Sequence, residues 1–276
     1  MLRSIALLLV YIAIAAAIVA IIIAAFLWHG QERIVFQPPG PPHPEAGGVL
    51  RIDMRAEDGQ PLFAYLIGEP ASAGIVLVFH GNADLAAWQI PWATELARRS
   101  GRAVLVTEFR GYAGLPGTPT YEGSRLDARA SYAVARDTLG VPPAKIALYG
   151  HSLGSAIAAE LAKEVDPEVL VLVAPMTSVR DMAHRVSPTA ILLFWTGLAR
   201  VHYATETIVR SLDTPVWVAH GSRDEVIPVA MGQRVFEAAK RKGDLLLVDG
   251  AGHNDLVDHA GERYWRWLTA ALGPLK

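Results

Sequence analysis

The 276-residue chain carries 25 Lys and Arg against 27 Asp and Glu, for a net charge of -2. With charge near zero and no basic run, it offers nothing that suggests nucleic-acid binding. It has no cysteine, which excludes disulfides and a thiol nucleophile and fits a periplasmic or cell-surface setting.

The chain begins with an apolar run. Residues 5–28 contain no charge, and Tyr11 is their only polar group. About 20 residues suffice to span a bilayer, and the run exceeds the core of a cleavable signal peptide. Phe26-Leu27-Trp28 stands where a small-residue cleavage site would be. Residues 1–30 are therefore expected to form a single transmembrane anchor, with Trp28 at the interface and Gln31-Glu32-Arg33 in water. Arg3 and the amino terminus precede the span, while Glu32 and Arg33 cancel after it. That balance predicts a cytoplasmic N-terminus and an extracytoplasmic domain. Residues 31–48 follow as a spacer whose Gln37-Pro38-Pro39-Gly40-Pro41-Pro42-His43-Pro44 reads as extended, polyproline-like chain.

Residues 49–276 are of a length that suits one α/β domain. Two early strands are expected over residues 49–54 and 62–67, separated by Glu57-Asp58-Gly59. Strands and helices alternate thereafter, as in a mostly parallel sheet covered on both faces. The later strands are expected near Ile75, Val104, Ile146, Leu170, Val216 and Leu246. Helices are expected near residues 86–99, 123–139, 155–163, 229–242 and 256–272. Residues 178–211 stand where a lid would be inserted. Their apolar stretch Ala190-Ile191-Leu192-Leu193-Phe194-Trp195 reads either as a helix packed on the sheet or as a lid facing substrate or membrane.

The chemistry centres on Gly150-His151-Ser152-Leu153-Gly154, between the strand-like Lys145-Ile146-Ala147-Leu148-Tyr149 and an alanine-rich helical run. A serine hydroxyl is a poor nucleophile without a base. A Gly-x-Ser-x-Gly turn from strand to helix holds it out of ordinary packing, beside a helix N-terminus. Its partners are expected downstream, acid before histidine. Asp224 follows the strand-like Pro215-Val216-Trp217-Val218-Ala219-His220, and His253 follows Leu245-Leu246-Leu247-Val248. In this reading His253 takes the Ser152 proton and Asp224 orients the imidazole. Glu225 and Asp255 are the rival carboxylates; Asp255 is expected to begin the last helix. The oxyanion would be held by the backbone N–H groups of Leu153 and of Asn82, in the loop His80-Gly81-Asn82-Ala83-Asp84 after the third strand. Nine histidines raise the question of a metal, but no His-x-x-x-His or His-Glu-x-x-His pair occurs. No metal and no cofactor is expected; His80, His151 and His220 are expected to support the site from behind.

Five motifs together carry a family resemblance. They are His-Gly-Asn-Ala at residues 80–83, Arg-Gly-Tyr at 110–112, Gly-x-Ser-x-Gly at 150–154, His-Gly-x-x-Asp-x-x-Ile-Pro at 220–228 and Gly-x-Gly-His-Asn-Asp at 250–255. From about Arg51 onward the chain resembles an α/β-hydrolase of the membrane-anchored serine hydrolase group, the alpha/beta hydrolase domain-containing proteins of the prolyl-oligopeptidase-like clan. The resemblance implies an eight-stranded, mostly parallel sheet flanked by helices, the Ser152-Asp224-His253 triad, and hydrolysis of carboxylic esters or thioesters. One departure is Ala113, where the group's Arg-Gly-Tyr is followed by glycine. The expected substrate is a small-molecule or lipid-like acyl ester, met at a membrane. A peptidase of the same clan and a catalytically silent binding protein on the same fold are the alternatives.

Overall fold

The computed structural model describes residues 2–44, 46–70, 73–186 and 197–273. Eight strands form one sheet in the order β1-β2-β4-β3-β5-β6-β7-β8. They are β1 (Leu50–Arg55), β2 (Pro61–Ile67), β3 (Ile75–Phe79), β4 (Ala103–Thr107), β5 (Ile146–His151), β6 (Leu170–Val173), β7 (Val216–Gly221) and β8 (Lys242–Val248). β1 and β2 pair antiparallel, as do β2 and β4, and all later pairings are parallel. This is the α/β-hydrolase arrangement expected. The central strands β3 and β4 are buried at every residue. Strands covered by helices on both faces read as unbroken apolar runs, which is why Ile75-Val76-Leu77-Val78-Phe79 was legible as a strand.

The helices are α1 (Leu2–Val35), α2 (Ile90–Ser100), α3 (Tyr121–Ala133), α4 (Leu153–Val165), α5 (Val179–Val186), α6 (Thr205–Val209), α7 (Val229–Ala238), α8 (Leu256–Ala260) and α9 (Glu262–Ala271). The helices expected over 86–99 and 123–139 are present, but Ala86–Gln89 is a 3-10 turn and Val134–Thr138 a π-helical one, and two others differ more. The helix expected over 229–242 stops at Ala238, because Lys242-Gly243-Asp244 already belongs to β8. That strand is the sheet edge, so its first residues are polar and half-exposed and do not look like a strand. The helix expected over 256–272 breaks at Gly261, whose φ of 50° is left-handed. The segment Ala190-Ile191-Leu192-Leu193-Phe194-Trp195 lies outside the described residues.

At the N-terminus, the stretch Leu9–Val35 of α1 contains an 18-residue window with a mean hydropathy of 3.0 and no residue buried in the domain, and is long and apolar enough to cross a membrane. The helix does not stop near Gly30, and the polar group after the apolar run is not left in water. α1 continues to Val35; Gln31 and Glu32 are buried, as is Phe36 beyond the helix end. Gln31 donates to Leu198 O at 2.8 Å and accepts from Arg200 N at 2.7 Å, and Glu32 pairs with Arg200 at 3.1 Å. Arg33 alone of the three is exposed. The proline run after it has no helix or strand through residue 44. It still lies against the domain, since a Cβ on Gly114 would come within 3.3 Å of the His43 ring.

Candidate active site

Ser152 sits between β5 and α4 with φ 54° and ψ -118°. Such a backbone costs an L-residue on the order of 1–3 kcal/mol and persists only where its surroundings enforce it. Enforcement comes from both sides. The Ser152 N–H donates to Val173 O at 2.9 Å, and its carbonyl accepts from Ser155 N at 3.0 Å and Ser155 Oγ at 2.6 Å. The turn is also too tight for side chains at its flanks. A Cβ on Gly154 would collide with the carbonyls of Phe79 and His80, and one on Gly150 with the Gly154 carbonyl. Glycine at both positions is a steric requirement.

The turn leaves the Ser152 hydroxyl facing His253. Ser152 Oγ lies 2.9 Å from His253 Nε2, and His253 Nδ1 lies 2.7 Å from Asp224 Oδ2. A carboxylate only accepts, so Nδ1 carries the proton, and the Nε2 lone pair is left for the serine hydroxyl to donate to. Asp224 is the carboxylate that meets His253. Asp255 instead accepts from Gly252 N at 2.6 Å and precedes α8, while Glu225 is exposed.

Asp224 is itself fixed from several directions. Its Oδ1 accepts from Val226 N at 2.9 Å and Ile227 N at 2.8 Å, and its Oδ2 lies 3.2 Å from His220 Nε2. Burial pushes its pKa up, but the hydrogen bonds of His220 and His253 outweigh burial and hold the carboxyl well below its usual range. Asp224 is therefore anionic beside His253 at neutral pH. His220 Nε2 also donates to Ile227 O at 2.8 Å, which leaves Nδ1 buried without a partner.

The two other histidines also abut the site. His151 Nε2 donates to His253 O at 3.1 Å, and its ring centroid lies 5.2 Å from that of His253. Burial, reinforced by the nearby His253, lowers its pKa to about 4, so at neutral pH it adds no charge beside His253. His80 meets Glu108 at 3.0 Å below the loop of residues 80–84, and Glu108 also accepts from Ala86 N at 3.0 Å. Burial lowers the His80 pKa, but the Glu108 charge and hydrogen bond raise it further, for a net upward shift.

That loop reaches Ser152. A Cβ on Gly81 would stand 3.4 Å from Ser152 Cβ and 3.1 Å from His151 Nδ1. Leu153 is the first residue of α4, so its N–H precedes any intrahelical acceptor. Asn82 follows Gly81, and both ends of its side-chain amide are engaged. Nδ2 donates to Val35 O at 2.8 Å, while Oδ1 accepts from Gln37 N at 2.7 Å and Tyr112 Oη at 2.8 Å. The Arg-Gly-Tyr motif thus touches the loop through Tyr112. Its Arg110 is buried and paired with Asp127 at 2.7 Å and Asp58 at 2.6 Å.

Ser152 and His253 open on a cavity of about 750 Å³. Its walls include Trp88, Trp92, Tyr149, Leu256, Val257 and Trp265, and no Lys or Arg lines it among the described residues. Trp92 stacks between Tyr149, with centroids 4.6 Å apart, and Trp265 at 6.2 Å. These aromatic walls were not anticipated from sequence. Trp88 and Trp92 are spaced as an ordinary helix face, and the ring partners of Trp92 come from β5 and α9. Among the described residues, no cluster of three His, Asp or Glu is arranged to hold a metal ion.

The sequence signature of the Hydrolase_4 family, described as serine aminopeptidase S33, matches residues 70–207. An uncharacterized protein of Mycobacterium tuberculosis is 33% identical over 248 residues, covering 87% of this chain and 86% of that protein. Human alpha/beta hydrolase domain-containing protein 17B is 27% identical over 187 residues, covering 68% of this chain and 62% of the human protein. Among solved structures, the Pyrococcus furiosus esterase Pf2001 superposes with a TM-score of 0.67 at 20% identity, covering 87% of this chain and 100% of that one.

Proposed function

The chain belongs to the serine aminopeptidase S33 family of α/β-hydrolases, and from that premise we propose that it hydrolyses carboxylic esters or thioesters through an acyl-Ser152 intermediate. The observation that carries the proposal is the hydrogen-bonded series Ser152–His253–Asp224 at the mouth of a cavity walled in part by aromatic and aliphatic side chains. Ser152 Oγ attacks the acyl carbonyl as His253 Nε2 takes its proton. The resulting oxyanion accepts hydrogen bonds from the N–H groups of Leu153 and Asn82. Collapse expels the alcohol or thiol, protonated by His253, and water repeats the sequence to free the acid. Asp224, anionic and fixed by three further contacts, holds the imidazole tautomer and stabilises its charged form.

Two features favour esters over peptides. The cavity walls suit a hydrocarbon acyl chain, each buried methylene adding about 0.8 kcal/mol. An aminopeptidase must also bind a substrate ammonium, and of the three carboxylates that line the cavity only the exposed Asp258 is without a partner among the described residues. Asp84 accepts from Leu85 N and Gln89 Nε2, and Glu95 is held by Arg98 and Arg99. Helix α1 serves in this proposal as a single-pass anchor. The balance of Arg3 against Glu32 and Arg33 supports an extracytoplasmic domain.

The test is hydrolysis of p-nitrophenyl esters from acetyl to octanoyl. We expect kcat/KM to rise with chain length until the cavity is filled, and Trp92→Ala to flatten that rise more than it lowers acetyl turnover. Ser152→Ala should abolish turnover while thermal unfolding stays nearly unchanged. Wild-type turnover in Ser152→Ala would overturn the proposal; a p-nitroanilide of an amino acid cleaved faster than any ester would move it to peptide substrates.

A further inference from the structure

The segment that leaves the apolar helix is bound into the candidate site. Val35 O and Gln37 N, on either side of Phe36, clasp both ends of the Asn82 side-chain amide. Gln37 also lines the cavity that holds Ser152 and His253. Nor is the segment loosely laid there. Phe36 is buried against Tyr203, with ring centroids 6.4 Å apart, and Tyr203 is tied to Ser124 at 2.5 Å. Upstream, Gln31 and Glu32 fasten the same segment to Arg200 and the Leu198 carbonyl.

We propose that residues 31–37 are a strap that positions the Asn82 loop, so that the chain emerging from the membrane helix is a structural part of the active site rather than a tether to it. The proposal rests on the reading of Asn82 N–H as an oxyanion donor. It assigns a positioning role to the Asn82 side chain and to Phe36, neither of which touches the reacting atoms through that role. The physical need is plain. Ala83, next to Asn82, has φ 52°, a left-handed conformation that an L-residue leaves unless its neighbours hold it. The Asn82 amide offers two donors and an acceptor with two lone pairs. Both lone pairs and one N–H are used, two of these three contacts by the strap. A single anchor at this point fixes the direction of the backbone N–H. A donor displaced by about 1 Å from a developing charge can cost as much as ~100-fold in rate.

The test uses full-length protein in detergent micelles with p-nitrophenyl butyrate, well below the melting temperature of each variant. Asn82→Ala keeps the backbone donor and removes the clasp. It should lower kcat by about 10- to 100-fold while KM changes by less than about twofold. Phe36→Ala removes the pin of the strap and should lower kcat in the same direction. Combined, the two should lose no more than Asn82→Ala alone, because both cut one link. A residue that merely stabilised the fold would lower melting temperature and leave kcat intact. Wild-type kcat in folded Asn82→Ala, or losses that multiply in the double variant, would overturn the strap while leaving the esterase reading intact. If the wild-type protein turns over no ester and Ser152 takes no fluorophosphonate, both proposals fall together.

Discussion

Ser152 and Asn82 face one cavity but are held there by opposite means. Ser152 is fixed largely by its neighbours in the chain, with one longer link from its N–H to Val173 O. Two glycines admit the turn, β5 feeds it, α4 leaves it, and Ser155 closes it from three residues away. Asn82 is fixed at a distance, by Tyr112 in a loop 30 residues on and by a segment 45 to 47 residues back. The first kind of site survives as long as its own turn folds. The second depends on the docking of another part of the chain, here the part that continues into the apolar helix.

The same contrast decides what was legible. The Ser152 turn, its strand and its helix could be read because the residues that mark them lie within about ten residues of Ser152. So could Asp224 and His253, each placed by an apolar strand that ends just before it. The burial of Gln31 and Glu32 could not be read, since their partners outside the helix lie 89 to 169 residues away. A polar pair after an apolar run ordinarily faces water, and only the fold supplies Arg200 to receive it. The aromatic wall was hidden for the same reason, because Trp92 meets Trp265 only once α2 and α9 are side by side. β8 was foreshortened by composition. Lys242 and Asp244 belong to an edge strand, where polar residues are at home.

Substitutions can break or sharpen this comparison. The largest effect is expected where a local turn meets its partner. Asp224→Asn should lower kcat by roughly 10⁴-fold, because the amide can donate to His253 Nδ1 and so favours the wrong tautomer. Glu225→Gln, at an exposed residue, should change it little. Both would be measured on the p-nitrophenyl ester that the wild type prefers. A larger loss in Glu225→Gln would transfer the acid role and remove Asp224 from the account.

A smaller effect is expected in the distant support of Asn82. Ala113 follows Tyr112 and holds φ 48°, a left-handed backbone that glycine adopts without strain. The departure seen in the sequence has therefore kept the left-handed backbone at a cost. Ala113→Gly should raise stability by about 0.5–1 kcal/mol in denaturant unfolding, with kcat unchanged. A loss of stability would show that the alanine methyl contributes more by packing than its backbone costs.

The central claim is that Ser152 is an activated nucleophile, and the most direct measurement locates its covalent adduct. Full-length protein is treated with a fluorophosphonate, digested, and its peptides analysed by mass spectrometry. The account predicts a single modified peptide, with the adduct on Ser152. It also predicts that labelling is slowed by orders of magnitude in His253→Ala. An adduct on another serine, or labelling of Ser152 at the same rate without His253, would contradict it.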